Sequence, residues 1–169
     1  MDFKALFFDS SRLVADHAVS VISKDPVKIE ALFWFILENH HQYSARAARV
    51  FDLLNEKYPE RIRPYLEEII KNLSIKNTSV LRAFLRILFA HVPELNEAQF
   101  GMLMNLCFNM LANPKLEVSH RVYSMHILYE MYKIEPLIKD ELRITIEENL
   151  EFGSQGVKNV GKKILKKLK

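Results

Sequence analysis

The chain has 169 residues, 49% of them hydrophobic, with 24 Lys and Arg against 21 Asp and Glu, and only 4 Gly, 6 Pro and 1 Cys. A domain of this length buries about 70% of its unfolded surface, so one core is within reach, and so little glycine argues against a turn-rich β fold. The longest apolar run, Ala31 to Leu37, is seven residues, against roughly 20 for a bilayer-spanning helix, so no transmembrane segment is expected.

Met1 to Asp9 has a short apolar stretch. It lacks a basic leading segment and a long apolar run, and is not expected to be a signal peptide. Apolar residues then recur at helical spacing nearly throughout, which predicts nine helices. The first runs from about Ser10 to Ser23, with Leu13, His17 and Val21 beside Val14, Ala18 and Ile22. The second opens at Asp25-Pro26, a capping residue followed by a proline at the first helical position, and ends near Asn39. The others cover about Tyr43 to Lys57, Pro59 to Asn72, Thr78 to His91, Asn96 to Ala112, Val118 to Tyr132, Glu135 to Leu150, and Gln155 to the end. Connections this short place neighbouring helices antiparallel.

Three stretches look alike: Ser44-Ala-Arg46-Ala-Ala-Arg49 leading to Leu53-Leu54, Ser79-Val-Leu-Arg82 leading through Arg86 to Ile87-Leu88, and Ser119-His-Arg121 leading to Ile127-Leu128. Ser154 to Leu165, with Lys158 and Lys162, is a partial fourth copy, and the aliphatic pairs begin at 53, 87, 127 and 164. Between them come segments opened by Pro26, Pro59, Pro93 and Pro136. A helix pair of this kind cannot bury its apolar faces alone, so stacking on neighbours is expected. The serine-started opening, the aliphatic pair and the proline-started partner resemble HEAT/armadillo repeats, in particular the short HEAT-like variety. That resemblance implies an all-α superhelix, or solenoid, made of one repeat domain over residues 1–169. Its units would be approximately 10–40, 43–73, 78–112 and 117–151, followed by a terminal helix at 154–169.

No constellation carries catalysis. There is no His-Glu-x-x-His, cysteine cluster, calcium loop or phosphate-binding glycine loop, so neither an enzyme nor a metal or other cofactor is expected. Adjacent acids such as Glu67-Glu68 and Glu147-Glu148 diverge by about 100° around a helix and suit a solvated face. Cys107 sits in an apolar run and reads as a small buried hydrophobe. As the single cysteine it allows no internal disulfide, which fits a reducing cytoplasm. Trp34, inside the apolar run, is expected in the core. Phe3, Phe7 and Phe8 are expected to cover the open end of the stack, or else to meet a second copy.

Charge is the distinctive feature. Residues 1–152 carry all 21 acids and a net charge of −3, while residues 153–169 carry six lysines and no acid. Val157, Val160, Ile164, Leu165 and Leu168 fall on one stripe of the last helix, with Lys158, Lys162, Lys163, Lys166, Lys167 and Lys169 around the rest. The serine-started helices add a second basic set, which makes Arg46, Arg49, Arg82, Arg86, Arg121, Lys158 and Lys162 the candidate interaction surface. In HEAT-like proteins such helices line the concave side, so the resemblance implies a basic groove. It also implies a scaffold that binds a protein or peptide through its solenoid surface. The alternative is a nucleic-acid binder, distantly like the HEAT-like alkylpurine DNA glycosylases, that uses a basic groove and the Lys-rich last helix.

Overall fold

The computed structural model describes residues 1–168, so Lys169, one of the six tail lysines, lies outside the described residues. Every regular element among them is helical. Two compact units, Met1–Ile87 and Leu88–Lys169, divide the chain within one helix.

The first unit begins with a four-residue helix, α1 (Phe3–Leu6), followed by α2 (Arg12–Ile22), α3 (Pro26–Leu37) and α4 (Gln42–Lys57). Next come α5 (Pro59–Ile62), a 3-10 turn at Arg63–Tyr65, α6 (Leu66–Lys71) and the start of α7 (Thr78–His91). The caps follow from local chemistry. The Ser11 hydroxyl accepts from the Val14 amide, and the Asp25 carboxylate accepts from that of Val27 with Pro26 at the first position of α3. The predicted helix from Pro59 to Asn72 is broken in its middle. Pro64 has no amide hydrogen to give and its ring crowds the preceding turn, so the backbone tightens into the 3-10 turn between α5 and α6.

The core of this unit is aromatic at its centre. Phe33 of α3 lies 5.5 Å from Phe51 of α4, 4.9 Å from Tyr65 and 6.3 Å from Phe84 of α7. Removing such a ring costs about 3–5 kcal/mol. Phe3 and Phe7 are buried and close on Phe35 at 5.0 and 6.3 Å, while Phe8 beside them points into solvent. Three further expectations change. α1 precedes the first predicted helix, and is held by the Asp2 carboxylate accepting from the Lys4 and Ala5 amides. In α2 the buried stripe is Val14, Ala15, Ala18, Val19 and Ile22, which turns Leu13 outward. Trp34 is 49% exposed and is not core, because α3 buries the face carrying Ile29, Leu32, Phe33 and Ile36 and Trp34 lies roughly 100° around from Phe33.

The second unit takes in the end of α7, a 3-10 turn at Val92–Glu94, α8 (Glu97–Ala112), α9 (Val118–Ile134), a 3-10 turn at Pro136–Ile138, α10 (Lys139–Phe152) and α11 (Gln155–Lys167). A reciprocal cap opens α8, where Asn96 accepts from the Gln99 amide and Gln99 accepts from the Asn96 amide. Leu103, Cys107 and Leu111 of α8 meet a core that includes Met125, Ile127, Leu128 and Met131 of α9 and Leu142 and Ile146 of α10, all fully buried. Burial pushes the Cys107 thiol up to about 12, so it behaves as a small apolar side chain. α11 adds Val157, Ile164 and Leu168. It approaches α10 closely at Gly161, where a β-carbon would lie 2.9 Å from methyl groups of both Ile146 and Leu150.

Candidate functional site

The seven basic residues singled out in the sequence fall into groups with different surroundings. In the first unit, Arg46 and Arg49 of α4 reach back to the segment between α1 and α2. Arg46 Nη1 donates to the Phe7 carbonyl at 2.7 Å, and Arg49 Nη1 donates to that of Ser10, also at 2.7 Å. The Asp9 carboxylate between those carbonyls accepts from the Ser11 amide at 2.6 Å. Its pKa is held below the ordinary carboxylate value, first by hydrogen bonds from Ser11 and then by the Arg46 charge.

Arg86 of α7 bridges to α4, with Nε 3.2 Å from Asp52 Oδ2 and Nη2 2.8 Å from Glu56 Oε1. Asp52 is buried, and desolvation raises its pKa to about 6 although Arg86 pulls the other way. One helical turn from Arg86, Arg82 is exposed and makes no hydrogen bond or ion pair with a described residue.

In the second unit, Arg121 of α9 is buried at 5% exposure. Its Nε donates to the Leu111 carbonyl at the end of α8, and its Nη2 donates to Asn149 Oδ1 on α10. It ties three helices together from inside. Lys158 and Lys162 of α11 are half-buried and exposed, and neither side chain pairs with a described acid. Four of the five arginines thus spend donors on this chain's own carbonyls, carboxylates and amides, and the lysines do not.

A second surface of the first unit was not foreseen. A cleft of about 370 Å³ opens between α3 and the segment after α4, lined by Lys24, Pro26, Ile29, Arg61, Pro64 and Tyr65. The Tyr65 ring packs on the buried Phe33, which also meets the Trp34 indole edge-on at 5.6 Å, so Tyr65 at the cleft and Trp34 on the outer face of α3 rest on the same core ring. Val27, 72% exposed, lies on that face two turns before Trp34. Burial raises the Tyr65 pKa, and the Glu30 charge adds to it. Arg61 stacks over the Tyr58 ring at 4.7 Å, and Lys24 forms no ion pair with a described residue. The sequence signals that could have found this surface are Pro64, which forces the break beside Tyr65, and the even spread of apolar residues around α3, which no single buried face can use up.

With this geometry in place, a family model for the HEAT repeat domain matches residues 4–168. The chain belongs to the HEAT repeat family. No curated protein and no solved structure matches it. As a HEAT repeat protein it is an all-α solenoid and a helical-repeat scaffold, as the serine- and proline-started pairs implied. None of its described helices is long and apolar enough to cross a membrane, and no group of three or more His, Cys, Asp or Glu among the described residues is placed to hold a metal ion.

Proposed function

We propose that this HEAT repeat chain is a non-catalytic scaffold that holds a protein partner by taking one of its peptide segments onto the outer face of α3 and into the adjoining cleft. The observation that carries the reading is Trp34, half exposed on the outer face of α3, with an open cleft nearby whose Tyr65 packs on the same buried Phe33. Tryptophan, tyrosine and arginine dominate the energetics of protein interfaces, because their large faces lose water at little entropic cost. Here Tyr65 and Arg61 line the cleft with Ile29, and Trp34 is joined to Tyr65 through the buried Phe33. Lys24 and Arg61 at the rim favour a segment that pairs an aliphatic or aromatic side chain with carboxylates. A cytoplasmic setting belongs to the same reading, because the single thiol is buried and has no partner cysteine.

The test is selection of displayed peptides on the full chain, followed by titration of the selected peptides. Trp34 is the only tryptophan, so its emission reports on this face alone. The selected peptides are expected to carry an apolar anchor beside acidic residues, to shift Trp34 emission, and to bind Trp34→Ala at least about tenfold more weakly, as loss of a central aromatic anchor does. Peptides that bind Trp34→Ala equally well and leave the emission unchanged would rule the surface out.

A further inference from the structure

The second unit carries a different kind of surface. Lys158, Lys162 and Lys166 form a row along α11 with steps of about 6 Å along the helix axis, and Lys163 and Lys167 widen it around the helix. All are solvated except the half-buried Lys158, and none forms an ion pair with a described residue. Other lysines of the same chain do pair: Lys57 with Asp16 at 3.8 Å, Lys71 with Glu67 at 2.7 Å, and Lys133 with Glu130 at 2.6 Å. The neighbouring helix α10 presents Glu147, Glu148 and Glu151 to solvent, yet none of them bridges to α11. Like charges at this spacing repel by a few tenths of a kcal/mol per pair, so the row is a concentration of positive charge left unneutralised within the unit.

We propose that this lysine row is a docking surface for the phosphate backbone of a nucleic acid. Three observations favour that partner. The row is regular, as a phosphate backbone is, and lysines act as point charges without the fixed donor fork that selects particular groups, which suits contact independent of sequence. The apolar stripe of α11, with Val157, Gly161, Ile164 and Leu168, is packed into the unit, so no apolar face remains to enter a lipid surface. On α9, the half-buried Tyr129 ring has the Lys167 ammonium 5.2 Å and the Lys133 ammonium 4.9 Å from its centre, so its face is taken by cations, and the half-buried Tyr132, 6.0 Å away, is the ring beside them on which a base can rest. The positive field extends to α9, where the Lys167 charge adds to burial in lowering the His126 pKa.

The experiment is fluorescence anisotropy of the full chain with a labelled single-stranded oligonucleotide and a labelled duplex, between about 50 and 200 mM salt. The plot of log affinity against log salt is expected to fall with a slope between about −2 and −4.5, as phosphate contacts by three to five lysines require. The quadruple variant Lys162→Gln, Lys163→Gln, Lys166→Gln, Lys167→Gln is expected to lose most of that slope while keeping its helical circular dichroism. Trp34→Ala is expected to change nothing, which separates this surface from the α3 face. Failure to bind either oligonucleotide at low salt, or binding that the quadruple variant retains, overturns the proposal. So does tighter lysine-dependent binding to phosphatidylserine vesicles or to polyglutamate, which would give the row to a lipid surface or an acidic protein.

Discussion

The arginines of α4 and the lysines of α11 both follow a serine near the start of a helix, but their surroundings put them to different uses. Arg46 and Arg49 face the carbonyls of Phe7 and Ser10, and each fork finds an acceptor at 2.7 Å. Lys158 and Lys162 face no carboxylate within reach. Where a helix must be tied to a carbonyl or a buried acid, the planar five-donor guanidinium holds a fixed geometry that an ammonium cannot. A basic residue on a serine-started helix is therefore a stability element in one helix and an open charge in another, depending on what packs beside it.

That contrast can be broken most forcefully at Arg121. Replacing it with Met leaves the Leu111 carbonyl and the Asn149 amide without their buried donor, and is expected to cost about 3 kcal/mol in urea denaturation. A loss under about 1 kcal/mol would place Arg121 with the surface residues.

Arg86→Gln comes next. It removes the cation beside buried Asp52, and is expected to cost about 1–2 kcal/mol near pH 7.5 and clearly less near pH 5, where Asp52 can take up a proton. The sign follows from the raised pKa. Folded Asp52 binds its proton more tightly than the unfolded chain does, so its contribution to stability falls as pH rises from about 4 through about 6. Denaturation midpoints of wild type and variant across that range check both statements.

Arg46→Ala and Arg49→Ala are each expected to cost about 1 kcal/mol, the net worth of one such hydrogen bond, with faster hydrogen exchange confined to α1 and the start of α2. Smallest of all is the quadruple Gln variant of α11, expected to stay within about 0.5 kcal/mol of wild type because no internal contact is lost except the exposed Lys167–Tyr129 stack.

The sequence announces the helices and their order through Asp25-Pro26, the Asn96 cap and the recurring aliphatic pairs, because caps and apolar spacing are local properties. It is silent on α1, whose four residues are too few for a periodic signal, and it conceals the break at Pro64 within an otherwise helical pattern. The sequence puts Trp34 in the core because α3 is apolar almost all round, and which side faces inward is settled by Phe51, Tyr65 and Phe84, distant in sequence. The basic residues are easy to find in the sequence, but their roles are not. Arg46 is spent only because a carbonyl 39 positions earlier lies across from it, and Arg121 because α10 brings Asn149 to it across 28.

The division between spent arginines and open lysines is tested most directly by residue-resolved chemical modification of the native chain, with phenylglyoxal for arginine, an acetylating reagent for lysine, and mass spectrometry to locate the products. Arg121 is expected to be protected, Arg46, Arg49 and Arg86 slowed, and Arg82 fast, with Lys162, Lys163 and Lys166 reacting faster than the paired Lys71 and Lys133. Arg121 reacting as fast as Arg82, or the α11 lysines as slowly as Lys71, would contradict it.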